Sequence, residues 1–117
     1  EALRSGVLAN VAKRVRAIDE TRFVEEVFSR LGAGRGNVSY GLEDVAQAAE
    51  YGVIEIMLVS DSKLSAVSHD ERRQMEDLMR NVERKRGRVM VISTLHEAGE
   101  KLFSLGGVAA LLRFQIQ

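Results

Sequence analysis

The sequence predicts an α/β protein, a three-layer α/β/α sandwich around a mostly parallel or mixed sheet. Short apolar runs typical of strands alternate with segments whose apolar residues recur every three or four positions, as in helices. Residues 53–59, Val-Ile-Glu-Ile-Met-Leu-Val, are nearly all apolar and β-branched, which indicates a central strand covered on both faces. The sequence contains no proline, so no element interior is forcibly broken.

Two helices are expected before the first strand. In residues 1–18, five apolar positions share one helical face: Leu3, Val7, Val11, Val15 and Ile18. Asp19 is a favourable N-cap for a second helix, and Gly32 is a natural stop for it. That second helix carries a broad apolar stripe made of Phe23, Val24, Val27, Phe28 and Leu31.

The remaining elements alternate between strand and helix. They are a strand at 38–40, a helix at 42–51, a strand at 53–59, a helix at 70–85, a strand at 89–92, a helix at 96–105 and a strand at 108–116. Ser60-Asp61-Ser62 is expected as a polar turn. Asp70 is expected to cap the long helix, and Thr94 the next one, with Glu97 as the capping-box partner of Thr94.

Composition excludes several classes of protein. The chain has 117 residues, enough for one ordinary domain, and begins with Glu1, so we expect a fragment of a longer protein. Its 17 basic and 17 acidic residues balance, which argues against a dedicated nucleic-acid binder. It has no cysteine, and therefore no disulfide, thiolate nucleophile or cysteine zinc site. No apolar run is long enough to span a membrane.

The motifs that could carry catalysis are incomplete. His96-Glu97 resembles the start of a zinc-protease helix, but Glu100 stands where a second histidine is required. The glycine-rich loop at 32–36 precedes a strand, whereas a phosphate cradle must open a helix. No serine lies in a G-x-S-x-G elbow. A small hydrolase is therefore disfavoured, and we predict no catalytic, metal or cofactor-binding residue.

A basic cluster and an apolar helix stripe are the candidate interaction sites. Arg84, Arg86 and Arg88 could contact RNA phosphates, or they could simply solvate a helix end and complement its dipole. On the second helix, Phe28 lies at one margin of the stripe and could anchor a protein partner. The alternative is that the whole stripe packs on the sheet.

Four segments resemble one known family: residues 40–45 (Tyr-Gly-Leu-Glu-Asp-Val), 50–55, 93–100 (Ser-Thr-Leu-His-Glu-Ala-Gly-Glu) and 105–113 (Leu-Gly-Gly-Val-Ala-Ala-Leu-Leu-Arg). Together they look like the C-terminal domain of the Pelota family, the ribosome-rescue branch of the peptide-chain release factor subunit 1 family. By this resemblance, residues 1–18 are the C-terminal helix of a preceding central domain, and residues 19–117 are the release-factor-type C-terminal domain. An archaeal source is expected.

The resemblance implies a kink-turn-binding ribosomal-protein-like fold that serves protein docking in mRNA surveillance and the rescue of stalled ribosomes. The implied partners are the ribosome, an elongation factor 1-alpha-like GTPase and the ribosome-recycling ATPase. The resemblance also implies a monomeric, cytoplasmic protein that does not bind a membrane. By analogy, Val24, Val27 and Phe28 would contact the GTPase. An endonuclease activity requiring a divalent metal is attributed to the family's N-terminal domain, so no cofactor is expected here.

A stand-alone RNA-binding protein of the same superfamily fold is the alternative. The neutral total charge disfavours it, as does the acidic start of the helix at Leu42-Glu43-Asp44, where RNA-binding relatives tend to carry basic residues.

Overall fold

The computed structural model describes residues 2–114, and describes side chains for residues 11, 12 and 14–114. Within this range the elements are α1 (Ala2–Gly32), β1 (Val38–Tyr40), α2 (Leu42–Glu50), β2 (Ile54–Ser60), α3 (Asp61–Ala66), α4 (His69–Arg84), β3 (Arg88–Ile92), α5 (Glu97–Ser104) and β4 (Val108–Leu112). The predicted alternation of strands and helices is confirmed except between β2 and β3, where the short helix α3 precedes α4. The predicted last strand is shorter, and residues 115 and 116 lie outside the described part.

The four strands form one mixed sheet in the order β1-β4-β2-β3. β2 pairs with β3 in parallel, whereas β4 runs antiparallel to both β1 and β2. One apolar cluster joins one sheet face to α2 and α4 through residues such as Val45, Met57 and Met75. A second joins the other face to α1 and α5 through residues such as Val24 and Leu102. The predicted three-layer sandwich is therefore confirmed.

A β-bulge shifts the register at the start of β2. Ile54 pairs with Leu112 of β4, but Ile56 pairs with the adjacent Leu111, so Glu55 is the extra residue. Ile54 can consequently face the α2–α4 cluster while Ile56 faces the α1–α5 cluster. The bulge also explains how a glutamate occurs within a buried strand, since Glu55 remains exposed there.

The two helices predicted before β1 form one continuous helix, α1, so the predicted break at Asp19 is wrong. No glycine or proline occurs between residues 7 and 31, and nothing in the backbone ends the helix earlier. Asp19 lies within the helix and contacts Arg22 at 3.8 Å. Val11, Val15 and Ile18 are 49%, 52% and 65% exposed, and the side chains of Leu3 and Val7 lie outside the described ones.

Two of the predicted turns and caps are corrected near the start of α3 and α4. Residues 60–62 are not a plain turn, because α3 begins at Asp61 and the Ser60 hydroxyl accepts the amide of Lys63. For α4, the cap is Ser68 in place of Asp70, and its hydroxyl accepts the amide of Glu71. Serine serves better there because it lies one residue outside the helix, where a side-chain oxygen can reach back to the first turn.

Thr94 does not cap α5, contrary to the prediction. His96 occupies the N-cap position and makes no side-chain cap hydrogen bond. Thr94 instead binds Asp61 on the neighbouring α3. None of the described helices is long and apolar enough to cross a membrane.

Candidate functional site

The predicted partner-binding stripe on α1 faces inward. Val24 and Val27 have no exposed surface and belong to the core between α1, α5 and the sheet. Their burial in this conformation disfavours direct contact with a partner, and the assignment of both as contact residues stays a prediction. Phe28 packs against the same cluster but is only partly buried, and the exposed Ser29 follows it. Of the three predicted residues, Phe28 alone retains surface that a partner could reach.

The predicted basic cluster is divided between two sides of the sheet. Arg84 ends α4 and lies with Lys85 over the groove between α2 and α4. Arg88 opens β3 on the opposite face, where its guanidinium lies 5.8 Å from the ring centroid of Phe23 on α1. Arg86 lies between them in a left-handed conformation, with φ of 72°. The three arginines therefore do not present a single surface to a phosphate backbone.

Two cations of this region have structural tasks. The ammonium group of Lys85 donates to the carbonyls of Ala49 and Glu50 at 3.2 and 3.0 Å, and so satisfies the end of α2. The guanidinium of Arg113 donates to the carbonyl of Arg86 at 2.7 Å, which holds the turn after α4. These contacts assign Lys85 and Arg113 to holding the ends of α2 and α4, and RNA contact by Arg84, Arg86 and Arg88 stays a prediction.

The loop between β3 and α5, residues 93–96, is held by several hydrogen bonds to side chains. It lies at the carboxyl ends of the parallel strands β2 and β3, where α/β proteins commonly place functional groups. Three successive backbone amides each donate to a side-chain oxygen: Ser93 to Glu20 at 3.1 Å, Thr94 to Asp61 at 3.1 Å, and Leu95 to the Ser93 hydroxyl at 3.1 Å. Side chains from α1 and α3 thus hold the loop in one conformation.

Glu20 connects this loop to α1. Its Oε1 atom accepts the amide of Ser93 and lies 2.7 Å from Nε2 of His96. Because a carboxylate only accepts, Nε2 of His96 carries the hydrogen and donates it. The side chains are 13% and 25% exposed, so water competes weakly for this contact. Nδ1 of His96 is buried and has no partner among the described residues.

Asp61, Thr94 and Ser62 are joined by hydrogen bonds. Oδ1 of Asp61 accepts the amide and the hydroxyl of Thr94, and the Thr94 hydroxyl lies 2.6 Å from that of Ser62. This cluster positions the loop.

Gly99 allows α5 to approach the loop closely. A Cβ atom at this position would lie 1.8 Å from the carbonyl oxygen of Ser93 and 2.8 Å from Cα of Thr94. Real Cβ atoms never approach backbone so closely, so every residue other than glycine would push α5 away from the loop. Glycine is needed here for space, not for an unusual backbone angle.

The tip of the loop is apolar and open to solvent. Leu95 is 96% exposed, although both of its neighbours in the chain are partly buried. Exposed acidic residues follow on α5, namely Glu97 and Glu100. Within residues 2–114, no group of three or more histidine, cysteine or acidic side chains could hold a metal ion.

The hydrogen bonds of this loop are not evident from the sequence. His96 and Glu97 there resemble only an incomplete metal motif, and Glu20, the partner of His96, lies 76 positions away along the chain. The sequence feature that could have indicated these hydrogen bonds lies within the loop and the helix that follows it. Ser93, Thr94 and His96, with Gly99 just after them, form a dense group of hydrogen-bonding and small residues at the end of a buried strand.

Comparison with known proteins identifies relatives over almost the whole chain. The family model for eRF1 domain 3 matches residues 17–116. Protein pelota homolog of Thermococcus kodakarensis is 41% identical over 117 residues, which is 100% of this chain and 32% of that protein. The homolog of Methanopyrus kandleri is 38% identical over 116 residues, 99% of this chain and 33% of that protein. The chain thus spans about a third of the length of these relatives.

Solved structures agree with this relationship. Pelota of Archaeoglobus fulgidus has a TM-score of 0.87 and 36% identity, covering 100% of this chain and 36% of that chain. A model of ribosome-bound archaeal Pelota and ABCE1 has a TM-score of 0.80 and 42% identity, covering 97% and 31%. Dom34 of S. cerevisiae, described as a translation termination-like factor involved in RNA quality control pathways and interacting with Hbs1, has a TM-score of 0.81 and 33% identity, covering 86% and 28%.

Proposed function

The chain belongs to the eRF1 domain 3 family, and from this premise we propose that it is the C-terminal docking domain of a Pelota-like factor in mRNA surveillance and ribosome rescue. In this role it binds an elongation factor 1-alpha-like GTPase and the ribosome-recycling ATPase, and it acts in the cytoplasm on stalled ribosomes. The observation that carries the proposal is about 40% identity to Pelota homologues along the entire chain.

Two relatives support the choice of partners. Archaeal Pelota, 42% identical to this chain, is described in a ribosome-bound state together with ABCE1. Dom34, 33% identical, is described as interacting with Hbs1. The polar groups of this chain agree with a docking role, because those of the 93–96 loop are engaged in holding its shape.

The first half of α1 has a separate role in this proposal. Val11, Val15 and Ile18 are 49% to 65% exposed on one helix face, spaced by four and three positions. An apolar stripe at this spacing is suited to packing against another helix or sheet. Residues 1–18 would therefore belong to the preceding central domain, and residues 19–117 would form the release-factor-type domain.

Phe28 provides the test of GTPase docking. Replacing Phe28 by Ala removes the one predicted contact residue with reachable surface, and we expect the affinity for the GTPase to fall by about 1–3 kcal/mol. Val24→Ala is the matched control, because it removes core packing from the same helix without touching the surface. Calorimetry with the purified GTPase measures both. Equal affinities of wild type and Phe28→Ala, with folding intact, would refute this interface.

The alternative, a stand-alone RNA-binding protein, makes a different prediction. It requires tight and salt-sensitive binding of a kink-turn RNA in a gel shift. It also requires that charge reversal at Arg84 and Arg86 weaken that binding. The division of the basic cluster between two sheet faces counts against this alternative.

A further inference from the structure

Two exposed aromatic side chains lie among exposed cations at one end of the sandwich. Tyr51 follows the end of α2 and is 60% exposed, and Phe114 follows the end of β4 and is 65% exposed. Three exposed cations lie at the end of α4, namely Arg84, Lys85 and Arg86. Aromatic rings interleaved with cations are typical of surfaces that bind single-stranded nucleic acids.

Hydrogen bonds between three chain segments bring these residues together. Lys85 donates to the last carbonyl of α2, next to Tyr51, at 3.0 Å. The guanidinium of Arg113, the residue before Phe114, donates to the carbonyl of Arg86 at 2.7 Å. The ends of α2, α4 and β4 therefore meet at one end of the sheet. We call the exposed residues Tyr51, Arg84, Arg86, Arg113 and Phe114 of this region the end patch.

Arg84 and Arg86 are available to bind an anion. Their guanidinium groups make no hydrogen bond or ion pair with the residues that the structure describes. Other cations, Lys85 among them, satisfy the ends of α2 and α4. Two exposed acids, Glu50 and Glu83, lie nearby, and the cations outnumber them. The patch is therefore suited to a ligand that carries phosphate groups.

Arg86 occupies a position where glycine would fit the backbone better. Its amide bonds to the carbonyl of Glu83 at 3.0 Å, and the amide of Gly87 bonds to that of Val82 at 2.8 Å. These two bonds form a Schellman motif, in which the residue at the Arg86 position is left-handed and usually glycine. With φ of 72°, the arginine adds strain to the end of α4. Backbone strain of this kind clusters at functional sites.

We propose that the end patch binds single-stranded RNA, with its arginines on the phosphates and its two aromatic rings stacked on bases. An aromatic ring stacks on any base, so binding tolerates changes of sequence. A duplex offers the patch only its phosphates, because paired bases are already stacked on one another. This inference adds an RNA contact to the docking function and does not depend on it. Arg88, which lies on the opposite face, takes no part.

Fluorescence anisotropy of a labelled oligouridylate of about 12 nucleotides measures the binding. Tyr51→Ala and Phe114→Ala should each weaken it by about fivefold or more, because each removes one stacking surface. Tyr40→Ala is the matched control, since this ring is also exposed but pairs with Ala109 near the start of β4, away from the patch. Its affinity should stay within about twofold of wild type.

Arg86→Gly separates binding from stability. Loss of one phosphate contact should weaken binding and reduce the slope of log affinity against log salt by about 0.7, although the fold becomes more stable. Arg86→Asn is a second neutral variant that tolerates the left-handed conformation and should behave alike. Arg73→Ala is the charge control, because Arg73 is exposed near the start of α4. It should leave the slope unchanged.

Three results would overturn this inference while the docking function stands. The first is absence of binding by the wild-type chain at about 50 mM salt. The second is equal affinity of Arg86→Gly and Arg73→Ala, which would show that RNA responds to total charge and not to the patch. The third is a duplex of the same length that binds as tightly as the single strand. If the Tyr51 and Phe114 variants lose affinity for the GTPase but not for RNA, the patch is a protein surface and the proposal is refuted.

Discussion

Removal of the Glu20 carboxylate should destabilise the fold measurably, because one oxygen atom serves two donors. Oε1 accepts the Ser93 amide at 3.1 Å and the His96 Nε2 hydrogen at 2.7 Å. A hydrogen bond to a charged group contributes about 1.5–3 kcal/mol, and these two are partly shielded from water. Since the contacts share one acceptor and water can enter partly, Glu20→Ala should lower the free energy of unfolding by about 2–4 kcal/mol.

Glu20→Gln separates shape from charge. The amide oxygen of glutamine can still accept from both donors, so only the charge assistance is lost, and we expect a loss of about 1 kcal/mol or less. Glu25→Ala is the control, because Glu25 is exposed on the same helix and has no hydrogen bond among those the structure describes. Its effect should stay within about 0.5 kcal/mol.

Urea denaturation followed by circular dichroism measures all three variants. With a slope of about 1.5 kcal/mol/M for a domain of this size, Glu20→Ala should lower the midpoint by about 1–3 M. Hydrogen exchange should show faster exchange at the Ser93 amide in the same variant. If Glu20→Ala and Glu25→Ala unfold at the same urea concentration, Glu20 does not connect α1 to the loop.

Three other substitutions test the backbone. Gly99→Ala should cost about 3 kcal/mol or more, because its Cβ would overlap the carbonyl of Ser93, and thermal melting should show a lower Tm or an unfolded protein. Gly32→Ala meets no atom within 4 Å at the end of α1 and should instead raise stability by about 0.4–1 kcal/mol in urea titration. Arg86→Gly should raise the free energy of unfolding by about 0.5–1 kcal/mol in the same titration, since φ of 72° strains any residue with a Cβ. A loss of stability would show that the arginine side chain contributes more than the strain costs.

Much of the fold follows from local patterns. The apolar run of β2, the helical spacing of Met75, Leu78 and Val82, and the glycines after α5 place β2, α4 and α5 correctly within a few residues. The pattern gave a wrong prediction at Asp19. Asp19 is a good N-cap residue, yet α1 continues through it, because an N-cap begins a helix only where its own backbone is not helical.

The interaction residues depend on burial as well as on sequence pattern. The stripe on α1 was correctly seen as apolar, but periodicity does not distinguish residues that bind a partner from residues that bind the protein's own sheet. Burial of Val24 and Val27 decided this. Similarly, Arg84 and Arg88 are close in sequence, but the turn between α4 and β3 sends their side chains to opposite faces.

The sequence by itself determined the order of the strands, the long helices between them, the layered architecture and the family resemblance, since each depends on residues near one another along the chain. The tertiary structure alone decided which surfaces are free. Glu20 meets Ser93 and His96 across more than 70 positions, and this contact shapes the loop that exposes Leu95. Such contacts depend on how α1 crosses the sheet, and the packing of the whole core fixes that crossing.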